Sequence, residues 1–145
     1  MIRNIEWRAA TPADMPFLLS LRKLTMTEYL QRAAMPTDDE AHYQRIAARF
    51  EDAAILCDED VCIGLLKLSR TGDAWHLHQI QILPGYQGNG IGEAVLSRML
   101  DEARHAGATV SLNVLHGNPA RRLYERLGFE CVTETSRGAR LMWRP

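Results

Sequence analysis

Ile80-Gln81-Ile82-Leu83-Pro84-Gly85-Tyr86-Gln87-Gly88-Asn89-Gly90-Ile91-Gly92-Glu93 is the stretch whose reading decides the fold. It runs from a β pattern through a glycine-rich turn into an amphipathic helix that carries Ile91, Val95, Leu96, Met99 and Leu100 on its inward face. Glycines at alternate positions remove the side chains that would block a ligand. The first helical turn offers unpaired N–H donors aimed along the helix dipole. An anion, most naturally a pyrophosphate, fits such a place. The same glycines also suit a strand-to-helix turn that needs tight geometry alone. Two nucleotide motifs fit poorly. No GK[ST] follows the glycines, and their spacing is GxGxG, where a dinucleotide fold has GxGxxG near the start of a βαβ unit.

Working outward toward the N-terminus, Trp75 to Leu83 forms a strand. Before it, 53–57 and 61–69 flank the acidic turn Asp58-Glu59-Asp60 and read as a hairpin. The chain begins with a strand at Ile2 to Ala9. Thr11, Pro12 and Asp14 then start a helix to about Leu30, with Phe17, Leu18, Leu21 and Leu24 on its buried face. A second helix, capped by Thr37 or Asp38, reaches about Phe50 through Tyr43, Ile46 and Ala47. After the glycine-rich turn come a helix at about Gly90 to His105, a strand at Thr109 to Leu115, a helix at Pro119 to Leu127 and a hairpin from Glu130 to Trp143. Gly107 and Gly128 fall where helix C-caps need a left-handed residue.

The chain has 145 residues and a formal net charge of -1. It shows neither repeats nor a low-complexity linker, so a single domain over residues 1–145 is expected. Near-neutral charge, with no basic run interleaved with aromatics, argues against nucleic acid as a partner. No stretch approaches the roughly 18 apolar residues needed to span a bilayer, and the N-terminus has no apolar signal core, so a cytoplasmic protein without a membrane partner is expected. Cys57, Cys62 and Cys131 are odd in number and lack CxxC spacing; they read as reduced, mostly buried thiols, not a disulfide frame or a zinc site.

A second motif lies downstream, Asn118-Pro119-Ala120-Arg121-Arg122-Leu123-Tyr124-Glu125-Arg126-Leu127-Gly128-Phe129. Gln87-Gly88-Asn89-Gly90-Ile91-Gly92 resembles the Q/R-x-x-G-x-G/A signature of the Gcn5-related N-acetyltransferase (GNAT) superfamily. The downstream segment resembles that family's last helix and its closing LYxxxGF. The order of elements is similar too. The resemblance implies an α+β fold, a twisted, mostly antiparallel mixed sheet of about seven strands flanked by about four helices. It also implies an enzyme that transfers an acetyl group from acetyl-CoA, its cosubstrate, to a primary amine by direct attack, as a monomer or homodimer. Residue by residue, the amides of Gln87, Gly88, Asn89, Gly90, Ile91, Gly92 and Glu93 would hold the CoA pyrophosphate. The strand edge at Ile80, Gln81 and Ile82 would pair with the pantetheine arm, and an N–H near Ile82 would polarise the acetyl carbonyl. The alternative within the same fold is an acyl-CoA-binding regulator that has lost catalysis.

Acyl transfer from a thioester to an amine needs a neutral amine to attack and a thiolate to leave. Tyr124 matches the family tyrosine that protonates or hydrogen-bonds the departing sulfur; packing beside Leu123 and Leu127 is its other reading. Asn118 reads as a CoA contact, as a helix cap ahead of Pro119, or as both. Many members place the base as a carboxylate in the fourth strand, and 75–82 contains no Asp or Glu. His76 and His78 stand there instead. In an unbroken strand they share a face with Ile80 and Ile82, and His78 is the preferred base, with His76 or water as substitutes. No third ligand at useful spacing accompanies them, so no metal is expected. The family's acceptor route places Met26, Tyr29 and His78 at the substrate. On the same route, Met35 and Asp38 to Glu40 face Arg137 and Arg140; the acidic residues read either as attracting a cationic amine or as a solvated helix start.

Overall fold

The computed structural model describes residues 4–145. The expected start of the first strand at Ile2 lies outside them. The described elements are β1 (Ile5–Ala9), α1 (Met15–Arg32), α2 (Asp39–Ala47), β2 (Ala53–Asp58), β3 (Val61–Ser69), β4 (Ala74–Ile82), α3 (Ile91–Ala106), β5 (Thr109–Leu115), α4 (Ala120–Arg126), β6 (Glu130–Glu134) and β7 (Gly138–Trp143). The seven strands form one sheet in the order β1-β2-β3-β4-β5-β7-β6. Every pairing is antiparallel except β4 with β5. This is the expected α+β architecture, with four helices on a mixed sheet.

Strand alternation divides β2 and β3 between two cores. Ile55 and Leu65 pack with Leu18 and Leu21 of α1 and Ile46 of α2. Leu56, Leu66 and Leu68 face the other way, where Val95, Leu96 and Met99 of α3 and Phe129 complete the larger core. At the entry to α1, the two terminal guanidinium nitrogens of Arg8 donate to Asp14, at 2.8 and 2.9 Å, and the Thr11 amide donates to the same carboxylate. The Arg8 bonds foremost hold the Asp14 carboxyl down at about 2, so the clasp is ionised at any ordinary pH. It fastens the first strand to the first helix.

Three local expectations fail. Leu24 is 61% exposed and Tyr43 is 50% exposed, so the buried face of α1 ends with Arg22 and Leu30, and α2 buries His42 and Ile46. α2 also stops at Ala47, not Phe50, because the Ala48 backbone is extended and Arg49 is left-handed at φ 51°. Of the three cysteines only Cys57 is buried; Cys62 is half-buried and Cys131 exposed. Among the described residues no helix is long and apolar enough to cross a membrane.

Candidate functional site

β4 and β5 pair only from Ala74 with Thr109 to Leu77 with Leu112, after which they diverge. The remaining edge of β4 toward β5 is therefore left without a strand partner. A cavity of about 400 Å³ opens in this split. Ile80, Gln81 and Ile82 line it from β4, Leu123 and Tyr124 from α4, and the glycine-rich turn closes one end. Gln81 is buried, and its Oε1 has no donor among the described residues. A chain with its own amide groups would satisfy both that oxygen and the strand edge.

The turn is built from alternating left-handed glycines, Gly88 at φ 80° and Gly90 at φ 78°. A Cβ on either would meet no atom within 4 Å, so the concavity beside them is open. The first amide returned to α3 is that of Ala94, donating to the Gly90 carbonyl at 3.0 Å. The amides of residues 88–93 have no backbone acceptor among the described residues. Successive free N–H groups at a helix start suit a diphosphate. Gln87 differs from its expected role. Its amide already donates to the Pro84 carbonyl at 3.2 Å, and its side chain Nε2 donates to the Ile82 carbonyl at 2.9 Å. It ties the turn back to β4 and leaves anion binding to the amides after it.

Tyr124 sits 7% exposed on α4, with its ring edge-to-face on Phe129 at 5.7 Å between centroids. Its hydroxyl has no hydrogen-bond partner among the described residues, and the residue lines the cavity. Burial pushes this phenol up to about 12, so it carries its proton throughout the neutral range. Asn118 caps the start of α4, its Oδ1 accepting from the Ala120 amide at 3.0 Å, and it also lines the cavity.

The two histidines do not share a face with Ile80 and Ile82. Lys67 of β3 pairs with Gln79 while Leu68 pairs with Leu77, so His78 is an extra residue, a β-bulge. The bulge reverses the alternation: Leu77, Ile80 and Ile82 all join the α3 core, whereas His76 and His78 line a second cavity on the opposite face. Their ring centroids are 4.7 Å apart.

Hydrogen bonding distinguishes them. Ser69 Oγ donates to Asp52 Oδ2, and His78 Nε2 lies 2.7 Å from the same oxygen. A hydroxyl has one proton, and a carboxylate can only accept it, so His78 Nε2 must donate to Ser69 and Nδ1 carries the lone pair. Burial, then Arg49, pushes His78 below the ordinary histidine range, against the opposing pull of Asp52. The ring is neutral at pH 7, with a free base. At His76, Nδ1 lies 2.7 Å from Ser111 Oγ, which also accepts from Arg140 at 3.3 Å. The Ser111 hydroxyl also donates to the Trp75 carbonyl at 3.5 Å, so its proton is not committed to Nδ1. Burial foremost, with His78 and Arg140 behind it, lowers His76 to about 4. That makes it a poor base. Sequence reading missed Asp52 and Ser69: the β3–β4 pairing brings Ser69 to the histidines, and the segment after α2 folds back to bring Asp52 to Ser69.

The second cavity, of about 520 Å³, shares Met26 with the first. Met35, Arg137 and Arg140 line it as expected, but Tyr29 lines only the first cavity. The acidic residues expected beside the acceptor are absent from its wall: Asp38 to Glu40 lie exposed at the start of α2, where Asp39 pairs with Lys23 at 2.5 Å. In their place stand Arg22, Arg45, Arg49 and Lys67. Lys67, only 2% exposed, donates to the carbonyls of Arg45, Ile46 and Ala48 at 3.0, 2.8 and 2.7 Å. It caps the end of α2 and thereby fixes Arg45 and Arg49 at the cavity wall. Among the described residues no group of three His, Cys, Asp or Glu side chains is arranged to hold a metal.

A sheet split beside a glycine-rich helix start, with a tyrosine on the last helix facing the split, defines the acetyltransferase fold class. Residues 18–129 match the model of the Acetyltransferase (GNAT) family, and the chain belongs to that family. It is 36% identical over 78 residues to the [ribosomal protein bS18]-alanine N-acetyltransferase of Haemophilus influenzae, covering 53% of each chain. It is 41% identical over 71 residues to the N-alpha-acetyltransferase RimI of Mycobacterium tuberculosis, covering 48% of this chain and 44% of that protein. The matches thus span about half the length of these relatives. The fold is similar to the acetyltransferase of Thermus thermophilus, with TM-score 0.78, 20% identity and 99% of both chains covered. The PaiA N-acetyltransferase of Thermoplasma acidophilum, solved in complex with coenzyme A, aligns with TM-score 0.74 and 15% identity over 98% of this chain and 99% of that one.

Proposed function

We propose that this protein transfers an acetyl group from acetyl-CoA to a primary amine by direct attack. The observation that carries the proposal is the continuity of one groove: the open edge of β4 runs from Ile80 to Ile82 into the free amides of residues 88–93, with Tyr124 lining the same space. A pantetheine arm needs a strand edge, a diphosphate needs successive N–H donors, and a departing thiolate needs a proton. Each requirement has its group in this groove. Bound acetyl-CoA would supply the activated acyl group. An N–H of β4 near Ile82 would stabilise the oxyanion as the amine adds, and Tyr124 would protonate or hydrogen-bond the sulfur as the C–S bond breaks, with the proton shed by the acylated nitrogen balancing the one the thiolate gains.

The amine arrives protonated and must lose that proton before it attacks. His78 is the proposed acceptor, through Nδ1 directly or across one water. The serine hydroxyl links its Nε2 to Asp52, which orients the ring and stabilises the imidazolium that forms. A carboxylate is thus coupled to β4 although the strand contains none, which supports catalysis over the reading of the fold as a regulator. Calorimetric titration with CoA, followed by thiol release from acetyl-CoA across a panel of amines, tests the proposal. Micromolar binding with amine-dependent release supports it. Tight binding with no release from any amine favours the regulator.

A further inference from the structure

Arg22 is a buried cation with no counter-ion among the described residues. It projects from the middle of α1, is 4% exposed, and its Nε is shut off from solvent with no acceptor among the described residues. Among the described residues no hydrogen bond or ion pair meets the rest of the guanidinium. Burying an unpaired guanidinium is costly, and a fold retains one most readily where a ligand completes it. Arg22 lines the second cavity together with Arg45, Arg49, Lys67, Arg137 and Arg140, and no Asp or Glu lines that cavity. Lys67 is consumed by the end of α2, and Arg140 gives one nitrogen to Ser111. The guanidinium of Arg22 and those around it remain for a guest. His78 lines the same cavity, and Met26 lines both it and the acetyl-CoA groove.

We infer that the acceptor is a small amine that also carries a carboxylate, an amino acid in the general sense, whose carboxylate is bound by Arg22 and Arg140 while its amine faces His78 and the groove. Planar guanidinium groups match a carboxylate in geometry as well as charge. A polyamine is excluded on the same ground, since its second cation would enter a wall of arginines. This inference rests on the transferase reading for the identity of the guest as acceptor, but not for its binding.

Two measurements on the full chain separate the readings. Equilibrium binding, by calorimetry in the presence of CoA, compares free amino acids with the carboxamides of the same amino acids and with polyamines. A preferred amino acid should bind at least about tenfold more tightly than its carboxamide, the range expected for charge-assisted bonds. Arg22→Gln should bring the pair within about threefold. Arg140→Gln, at an exposed position, should narrow the gap in a variant whose fold is not at risk. Carboxamides or polyamines that bind as well as amino acids, or no amino acid binding at all, would overturn the inference. Thiol release is then read separately. Amino acid binding without release leaves the carboxylate site standing and refutes the transferase. Equal turnover of amino acids and their carboxamides leaves the transferase standing and refutes the carboxylate site.

Discussion

Ser69 Oγ stands 2.7 Å from His78 Nε2 and passes its own proton to Asp52, so one hydroxyl determines which nitrogen of the histidine is basic. His78→Ala should lower turnover more at pH 7 than at pH 9, where a larger fraction of the amine is already neutral. In the parent enzyme the sign is fixed by the lowered pKa: the base is present at neutral pH, and activity falls only as pH drops below the ordinary histidine range and the imidazole takes up a proton. Ser69→Ala removes the link to Asp52, makes His78 still less basic, and should cost roughly threefold to tenfold in turnover, the lower part of the range for acid–base devices. Overlaid pH–rate profiles for parent, His78→Ala and Ser69→Ala would exclude His78 as the base.

Gly90→Val should cripple CoA binding, because a β-branched side chain is strained at φ 78° and would occupy the space beside the free amides. Gly72 at φ 55° is an internal control: it too has open space around its Cβ position and does not line the groove. Gly72→Val should lose stability without losing CoA affinity, as measured by calorimetry beside a thermal melt. A folded Gly90→Val variant with parental CoA affinity would refute the pyrophosphate assignment.

Lys67→Met tests how the basic cavity is held in place. The substitution keeps the length and apolar stem but leaves the carbonyls of Arg45, Ile46 and Ala48 without their donor. Each orphaned buried acceptor costs about 1 kcal/mol or more, so urea unfolding should show a loss of roughly 2–4 kcal/mol, with partial recovery in Lys67→Arg. A loss under about 1 kcal/mol in Lys67→Met would show that the α2 end is held by something else.

Much of this was legible before the structure, and what was not has a common cause. β5 falls on Thr109 to Leu115 as read, and the turn into α3 with Ile91, Val95, Leu96, Met99 and Leu100 inward follows the helical period directly. Period and local turn chemistry belong to single segments and survive without a partner. The bulge at His78 does not: it exists only in the register between β3 and β4, and one inserted residue was enough to put both histidines on the opposite face. The basic cavity draws Arg22 from α1, Arg45 and Arg49 from around the end of α2, and Arg140 from β7, with no spacing in the chain to link them. The acidic run at Asp38 to Glu40, conspicuous because it is contiguous, proved to be the solvated start of a helix.

Tyr124→Phe removes a hydroxyl and leaves the ring on Phe129, so stability and CoA affinity should hardly change. If the phenol acts on the leaving sulfur, its effect appears only in the transition state, and the maximal rate should fall about tenfold at unchanged apparent binding. Parental turnover in a variant whose transfer chemistry limits the rate would reduce Tyr124 to packing.

The central claim is that the groove beside β4 delivers an acetyl group to nitrogen. The most direct measurement uses acetyl-CoA labelled in the acetyl group, incubated with the full-length chain and a mixture of free amino acids and simple amines, with products resolved by mass spectrometry. The account predicts label on an amine nitrogen in amounts equal to the thiol released, and loss of both in Gly90→Val. Thiol released with the label recovered only as acetate, or acetyl-CoA bound and returned intact, would contradict it.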